Sequence, residues 1–213
     1  METLWNITLY NADCMEIMKV FADNKFDLAI VDPPYGINRD YQKSKICKNN
    51  KHNRKYFEKK NWDNSIPNEL YFNELFRVSK NQIIWGANYF TKYIPASMGW
   101  IFWDKGQDLT MSDGELAFTS FNRALRRKVI NRVELAKDLT IHPTQKPIML
   151  YKWILKNYAK EGDTILDTHL GSGSSAIAAH DGGFEFTGIE LDEEYFNNAV
   201  NRIKTHQRQL NLF

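Results

Sequence analysis

An apolar run that ends in Asp32-Pro33-Pro34-Tyr35 constrains the fold of this 213-residue chain more than any other feature. The run, Phe26 to Val31, has the composition of a strand that is buried on both faces, as in a parallel sheet covered by helices. Neither proline can donate a hydrogen bond to a sheet ladder, so the strand must end here. A carboxylate, a proline carbonyl and an aromatic ring are therefore predicted at a strand end, where open α/β sheets bind ligands. Together they suit an exocyclic amino group on a planar base.

A second strand end leads into a glycine turn. The predicted strand Thr164–Leu166 continues through Gly171-Ser172-Gly173 into a helix of small residues. Glycines let the backbone approach a ligand closely, and the first turn of a helix offers free N–H groups. About twenty residues further on, a strand ends at Glu190, where a carboxylate can bind ribose hydroxyls. The glycine spacing is not that of a pyrophosphate site, so a nucleoside ligand is predicted, with a plain strand-to-helix turn as the alternative.

Strands and helices alternate along the chain. The predicted strands are Ile7–Tyr10, Phe26–Val31, Gln82–Trp85, Trp100–Trp103, Leu116–Phe121, Thr164–Leu166 and Phe184–Ile189. This alternation predicts an α/β fold, a seven-stranded and mostly parallel sheet with helices on both faces. The length predicts a single domain over residues 1–213.

A net charge of +2 conceals two strongly basic segments. Residues 39–60 hold nine Lys or Arg and two acids, and residues 123–137 hold six and one, so the rest of the chain is acidic. These segments fall in two aperiodic insertions, at about 38–61 and 124–141. Localised positive charge on an acidic body predicts contact with a polyanion, although solvated loops are an equally good account.

Composition excludes several other classes. No run approaches the roughly 18 apolar residues of a membrane span, and the N-terminus does not have the pattern of a signal peptide. Cys14 and Cys47 are too few for a disulfide or zinc framework, and the histidines lack the spaced partners that a metal site needs. We therefore expect a cytoplasmic protein with no membrane contact and no metal.

These motifs resemble those of DNA amino-methyltransferases that use S-adenosyl-L-methionine. The order, with Asp32-Pro33-Pro34-Tyr35 first and the glycine turn second, is that of the permuted β class, and the sheet of that class is Rossmann-like. His142-Pro143-Thr144-Gln145-Lys146-Pro147 is similar to a motif that flanks the cofactor in the same class. The family often has Asp-Pro-Phe where this chain has Asp167-Thr168-His169, which affects the expected cofactor contacts rather than the fold.

The resemblance implies roles for individual residues. Asp32, Pro33, Pro34 and Tyr35 would be catalytic. The residues expected to bind the cofactor are Asp13, Lys146, Asp167, Gly171, Ser172, Gly173, Ser174 and Glu190. For Asp13 a helix N-cap is an equally good account, and for Lys146 a solvated first-turn lysine is the alternative. The residues expected to bind DNA are Arg39, Lys43, Lys45, Lys48, Arg123, Arg126, Arg127 and Lys128.

The implied reaction is methyl transfer to N6 of adenine in double-stranded DNA. Asp32 and the Pro33 carbonyl would accept both amino hydrogens, and Tyr35 would stack on a base flipped out of the duplex. Asp-Pro-Pro-Tyr is more typical of the adenine enzymes, and Ser-Pro-Pro-Tyr of the cytosine-N4 enzymes. Cytosine-N4 methylation, a catalytically silent DNA-binding module and an RNA substrate stay open as alternatives, as do a homodimer and a partnership in restriction-modification. The small size resembles that of phage or orphan enzymes.

Overall fold

The computed structural model of the chain describes residues 1–40, 56–106, 112–131 and 141–210. Within these ranges the chain forms nine strands and five α-helices. The strands are β1 (Glu2–Leu4), β2 (Ile7–Asn11), β3 (Phe26–Val31), β4 (Ser79–Trp85), β5 (Trp100–Asp104), β6 (Gly114–Thr119), β7 (Arg126–Val129), β8 (Thr164–Asp167) and β9 (Glu185–Glu190). The helices are α1 (Cys14–Lys19), α2 (Glu69–Val78), α3 (Ile148–Tyr158), α4 (Ser174–Asp181) and α5 (Glu193–Leu210).

All nine strands belong to one sheet in the order β1-β2-β9-β8-β3-β4-β6-β5-β7. The five strands from β2 to β4 are parallel neighbours, whereas β6 is antiparallel to both β4 and β5. The carboxyl ends of the parallel strands therefore meet at one edge of the sheet. Because β6 runs the other way, its first residues lie at that same edge.

Helices cover both faces of the sheet. In β3, Leu28 and Ile30 pack into the core on the side of α3, α4 and α5, while Ala29 and Val31 pack on the side of α1 and α2. This alternation along one strand separates two apolar layers and explains why β3 reads as a continuous apolar run. The predicted α/β fold with helices on both faces is confirmed.

The two helices beside the candidate site begin at side-chain caps. Asp13 accepts a hydrogen bond from the Met15 amide at 2.8 Å, and Asn68 accepts one from the Tyr71 amide at 3.2 Å. Each cap satisfies an amide that has no partner within its helix. The caps fix where the chain enters α1 and α2 after the preceding loops.

The predicted strand count of seven is wrong, because the sheet has nine strands. All seven predicted segments are strands, and the two additional ones are β1 and β7, which lie at the two edges of the sheet. β1 has three residues and turns into β2 through Trp5, whose φ is +58°. β7 consists of Arg-Arg-Lys-Val inside the segment at about 124–141 that we predicted to be an aperiodic basic insertion. Neither strand has the apolar alternation by which strands are recognised in a sequence. Both can form without it, because an edge strand tolerates charged side chains.

Among the described residues, no helix combines the length and the apolar character that crossing a bilayer requires.

Candidate active site

The chain turns sharply where β3 ends, and Asp32 stands at this corner. The Tyr35 hydroxyl donates to Asp32 Oδ1 at 2.6 Å, and the Lys146 ammonium donates to Asp32 Oδ2 at 2.5 Å. Burial raises the pKa of Asp32, and the positive charge of Lys146 opposes this effect. Each carboxylate oxygen thus already has a donor, and each keeps further lone-pair capacity.

Lys146 is the most buried charged group at this corner, with 3% of its side chain exposed. Besides Asp32, its ammonium contacts the Tyr35 hydroxyl at 3.1 Å and Glu115 Oε2 at 3.2 Å. Burial disfavours the charged form, but the two carboxylates outweigh burial and raise the pKa of Lys146. Lys146 was predicted to contact the cofactor. The structure places Lys146 on the wall of the adjoining cavity, with its ammonium bonded to Asp32 Oδ2.

The Tyr35 ring is held in place by its neighbours. It stacks on Tyr89, with ring centroids 5.2 Å apart and an interplanar angle of 15°. Gly86, whose φ is +66°, lies so close to the ring that a Cβ there would be 2.1 Å from Tyr35 Cε1. Burial raises the pKa of Tyr35 well above its ordinary value, so the hydroxyl stays protonated and donates to Asp32.

Asp63 organises the segment that follows Tyr35. Its Oδ1 accepts the amides of Tyr35 and Gly36 at 2.7 and 2.9 Å, and its Oδ2 accepts the amide of Arg39 at 2.7 Å. The side chain is buried, with 2% of the residue exposed. Asp63 was missed by the sequence analysis, since it stands in a polar stretch, Trp62-Asp63-Asn64-Ser65, that resembles any turn.

A cavity of about 740 Å³ adjoins this corner, and Asp32 and Pro34 form part of its wall. Its other walls come from the residues that follow β2, β8 and β9, and from the segments around Trp62 and His142. The site thus lies outside the carboxyl ends of the parallel strands, as expected for an open α/β sheet. The volume is in the range of sites for small molecules.

Two carboxylates from the predicted cofactor set line the cavity. Glu190, at the end of β9, accepts the amides of Gly171 at 2.8 Å and Asp192 at 2.9 Å, and burial raises its pKa. Asp13 caps α1, as one of the two accounts considered for it holds, and it also lines the cavity, while its contact with a cofactor stays a prediction. Gly171 and Ser172 complete the part of the turn that faces the cavity.

Three residues of the predicted cofactor set lie behind the cavity wall. Asp167 accepts the Ser175 hydroxyl at 2.6 Å and the His169 amide at 3.0 Å, and burial raises its pKa to about 7. Gly173 packs against Ala199 and Ile203 of α5. Ser174 is buried, and its hydroxyl is 3.0 Å from that of Ser172. In this structure these residues shape the turn, and the cavity is lined by others.

An aromatic cluster that the motifs did not predict closes one side of the cavity. The buried His142 ring packs against Trp62, with centroids 5.3 Å apart, and against Tyr195 at 4.5 Å. Burial lowers the pKa of His142 to about 3, so its ring is neutral. Lys60 lies 4.3 Å from the Tyr195 ring centroid and pairs with Asp192 at 2.8 Å. Lys60 belongs to the basic segment that was predicted to meet a polyanion, yet it lies at the cavity rim.

The residues predicted to bind DNA lie in different surroundings. Arg123 donates to the Asn157 carbonyl at 2.5 Å, and Arg127 pairs with Asp104 at 2.5 Å, so both are engaged within the protein. Arg39 and Arg126 are exposed, and Lys128 is half-buried on β7. Lys43, Lys45 and Lys48 lie outside the described residues.

Comparison with known proteins gives a family and a fold. A family profile described as "DNA methylase" (N6_N4_Mtase) matches residues 82–201, which is more than half of the chain. YubD of Escherichia coli (strain K12), which is named as a methylase, is 25% identical over 226 residues that cover 93% of this chain and 90% of that protein. The type II methyltransferase M2.DpnII of Streptococcus pneumoniae is 43% identical over 63 residues, covering 30% of this chain and 24% of its own length.

Solved structures share the architecture at low sequence identity. The complex of M1.HpyAVI with SAM has a TM-score of 0.63 and 21% identity, covering 92% of this chain and 99% of that one. The PvuII DNA methyltransferase, which is cytosine-N4-specific, has a TM-score of 0.62 and 13% identity, covering 98% and 94% of the two chains. At these identities the likeness establishes the fold.

Proposed function

We propose that this chain, which belongs to the N6/N4 family of DNA methylases, transfers a methyl group from S-adenosyl-L-methionine to N6 of adenine in duplex DNA. One observation carries the proposal. The Asp32 carboxylate, to which the Tyr35 hydroxyl is hydrogen-bonded, opens onto the same cavity that Glu190 lines from the end of β9. The proposed acceptor for an amino group and the proposed nucleoside site are thus adjacent.

S-adenosyl-L-methionine is the methyl donor of this family, and the residues present fit it. Glu190 keeps lone-pair capacity for ribose hydroxyls after accepting two backbone amides, and the Gly171–Ser172 backbone brings no bulky side chain to the cavity. Asp13 and the Trp62 ring supply a polar and an apolar wall for the rest of the molecule. When bound, the sulfonium group supplies an already activated methyl group, so the protein contributes mainly orientation.

The amino group of adenine is a poor nucleophile because its lone pair is delocalised into the ring. We propose that Asp32 and the Pro33 carbonyl each accept a hydrogen bond from one N–H of this amino group and thereby direct its lone pair towards the methyl group. We also propose that the flipped base stacks on the Tyr35 ring, which Tyr89 supports by stacking on it. Such stacking contributes about 1–3 kcal/mol per base.

The choice of adenine rests on the aspartate at position 32. A second candidate, cytosine N4, has the same acceptor geometry, and the fold is shared with the cytosine-N4-specific PvuII enzyme. We further propose that the basic segments contact the phosphate backbone, since the exposed Arg39 lies four residues after Tyr35 and Arg126 is exposed at the sheet edge.

The test is labelled-methyl transfer to unmethylated plasmid DNA, followed by mass spectrometry of its nucleosides. The wild type should yield N6-methyladenine, and Asp32→Ala should yield none. Asp163→Ala is the matched control, because this carboxylate accepts only a local turn amide from Lys160 among its described contacts. N4-methylcytosine without N6-methyladenine would refute the adenine assignment. DNA binding without any methylated nucleoside would favour the silent binding module.

A further inference from the structure

Glu115 reaches the catalytic corner from a strand that the motifs do not include. It is the second residue of β6, and the reversed direction of β6 brings it to the edge where β3 and β4 end. Its Oε2 lies 3.2 Å from Lys146 Nζ, and its Oε1 lies 2.9 Å from Lys105 Nζ. The side chain is 26% exposed, and the two lysines outweigh burial and lower the pKa of Glu115. Glu115 is therefore a carboxylate anion held between two ammonium groups.

Glu115 gives Lys146 a second anionic partner. The Lys146 ammonium has three N–H donors and three oxygen neighbours, on Asp32, Tyr35 and Glu115. A buried ammonium that loses its only counter-ion is strongly disfavoured. With two carboxylates in reach, Lys146 can weaken one contact and keep the other.

This matters because, in the proposed reaction, an incoming amino group shares Asp32 with Tyr35 and Lys146. In the described structure its two oxygens accept from Tyr35 and Lys146, so an amino group that uses a remaining lone pair adds a further donor at Asp32 and weakens the contact with Lys146. Resting on the proposed function, we infer that Glu115 is a positioning residue for methyl transfer. It holds the Lys146 ammonium beside Asp32 and takes over as its main partner when the amino group binds Asp32.

The charges around Asp32 make this inference testable by sign. The titratable groups that act on Asp32 or respond to it are Tyr35, Tyr71, Glu115, Lys146, Tyr151 and Asp167. Replacing Glu115 with glutamine removes a negative charge and leaves Lys146 to Asp32 alone, so Asp32 should titrate at a lower pH. Replacing Lys146 with methionine removes the positive charge, so Asp32 should titrate at a higher pH. A general loss of structure would not move the two variants in opposite directions.

The experiment measures kcat for methyl transfer as a function of pH with S-adenosyl-L-methionine and unmethylated duplex DNA. For Glu115→Gln we expect kcat to fall by about 10- to 100-fold, as for a small misplacement of reacting groups, and the acidic limb to move to lower pH. For Lys146→Met the acidic limb should move to higher pH. Glu115→Asp keeps the charge but withdraws it, so kcat should fall while the limb stays in place. The matched control is Glu74→Gln, since Glu74 is 25% exposed, pairs with Arg77 on α2 and lies away from the cavity.

Carboxyl titration of Asp32 by ¹³C NMR in the protein without DNA supplies a readout that does not depend on turnover. Opposite shifts in Glu115→Gln and Lys146→Met support the inference. Unchanged kcat and titration in Glu115→Gln, or shifts in the same direction for both variants, would overturn it. A wild type that methylates no DNA would instead refute the proposed function, and the NMR titration would still judge Glu115. If Lys146→Met does not fold, Glu115→Gln and Glu115→Asp decide the matter alone.

Discussion

Asp63 offers the sharpest test of how the corner from Asp32 to Tyr35 is held. Its carboxylate accepts three backbone amides, two at Oδ1 and one at Oδ2, while it is buried. Asparagine has nearly the same shape, but it places an NH₂ group where Oδ2 accepts the Arg39 amide. The hydrogen bond from the Arg39 amide to the carboxylate is thus replaced by two N–H donors that face each other. A hydrogen bond to a charged group contributes about 1.5–3 kcal/mol. We expect Asp63→Asn to lower the free energy of unfolding by that amount.

Urea unfolding followed by tryptophan fluorescence measures this change, and Trp62 next to Asp63 is a local reporter. Asp163→Asn makes the same replacement at a half-buried carboxylate with one local amide partner in the described structure, so its effect should stay within about 0.5 kcal/mol. The rate of methyl transfer should fall in Asp63→Asn, because the amides that Asp63 holds fix the position of Tyr35 and of the segment after it. A loss below about 0.5 kcal/mol in Asp63→Asn would mean that the three amides do not depend on this carboxylate.

Three further predictions concern the ring, the buried histidine and the sheet edge. Tyr35→Phe keeps the aromatic ring and loses the hydroxyl bond to Asp32, so base flipping, measured by 2-aminopurine fluorescence, should survive in this variant. In Tyr35→Ala base flipping should weaken, because about 1–3 kcal/mol of stacking is lost. Equal losses in the two variants would refute a stacking role. The folded-state pKa of His142 is lowered to about 3 from 6.5, so its contribution to stability is complete above pH 6.5 and is lost as the pH falls towards 3. His142→Phe should therefore flatten the acid side of the stability curve, and an unchanged slope between pH 6.5 and 4 would contradict this. Neutralising Arg126 and Lys128 should reduce the slope of log K for DNA binding against the logarithm of salt concentration by about 0.9 per lost phosphate contact. Lys19→Gln on the exposed face of α1 is the control. An unchanged slope would show that β7 does not contact DNA.

Local chemistry explains why much of the fold was predictable. A double proline ends a strand wherever it occurs, and glycines at φ +52° and +73° form a turn that few other residues can adopt. Both rules act within a few residues, so the ends of β3 and β8 follow from the sequence. The edge strands β1 and β7 do not, since their residues are not sorted by burial on two faces.

The sequence predicted those residues of the candidate site that lie together in one segment. It did not predict the contacts between residues that are distant in the chain. Lys146 reaches Asp32 across 114 positions of the chain, and Glu115 reaches Lys146 only because β6 runs antiparallel. Alternating strands and helices favour a parallel sheet and give no sign of one reversed strand. Asp167 and Gly173 show the converse, because the motif around the cavity includes residues that support the turn from behind.

Gly86 has a consequence for reading natural variation and for engineering. Even alanine at this position would overlap the Tyr35 ring, and the positive φ adds backbone strain. A substitution there would displace the ring without altering a charged group or a residue that lines the cavity. Such a variant would look harmless in a comparison of motifs, since Asp-Pro-Pro-Tyr would be intact. It also offers a way to keep the cavity intact while the Tyr35 ring, the proposed stacking surface, is displaced.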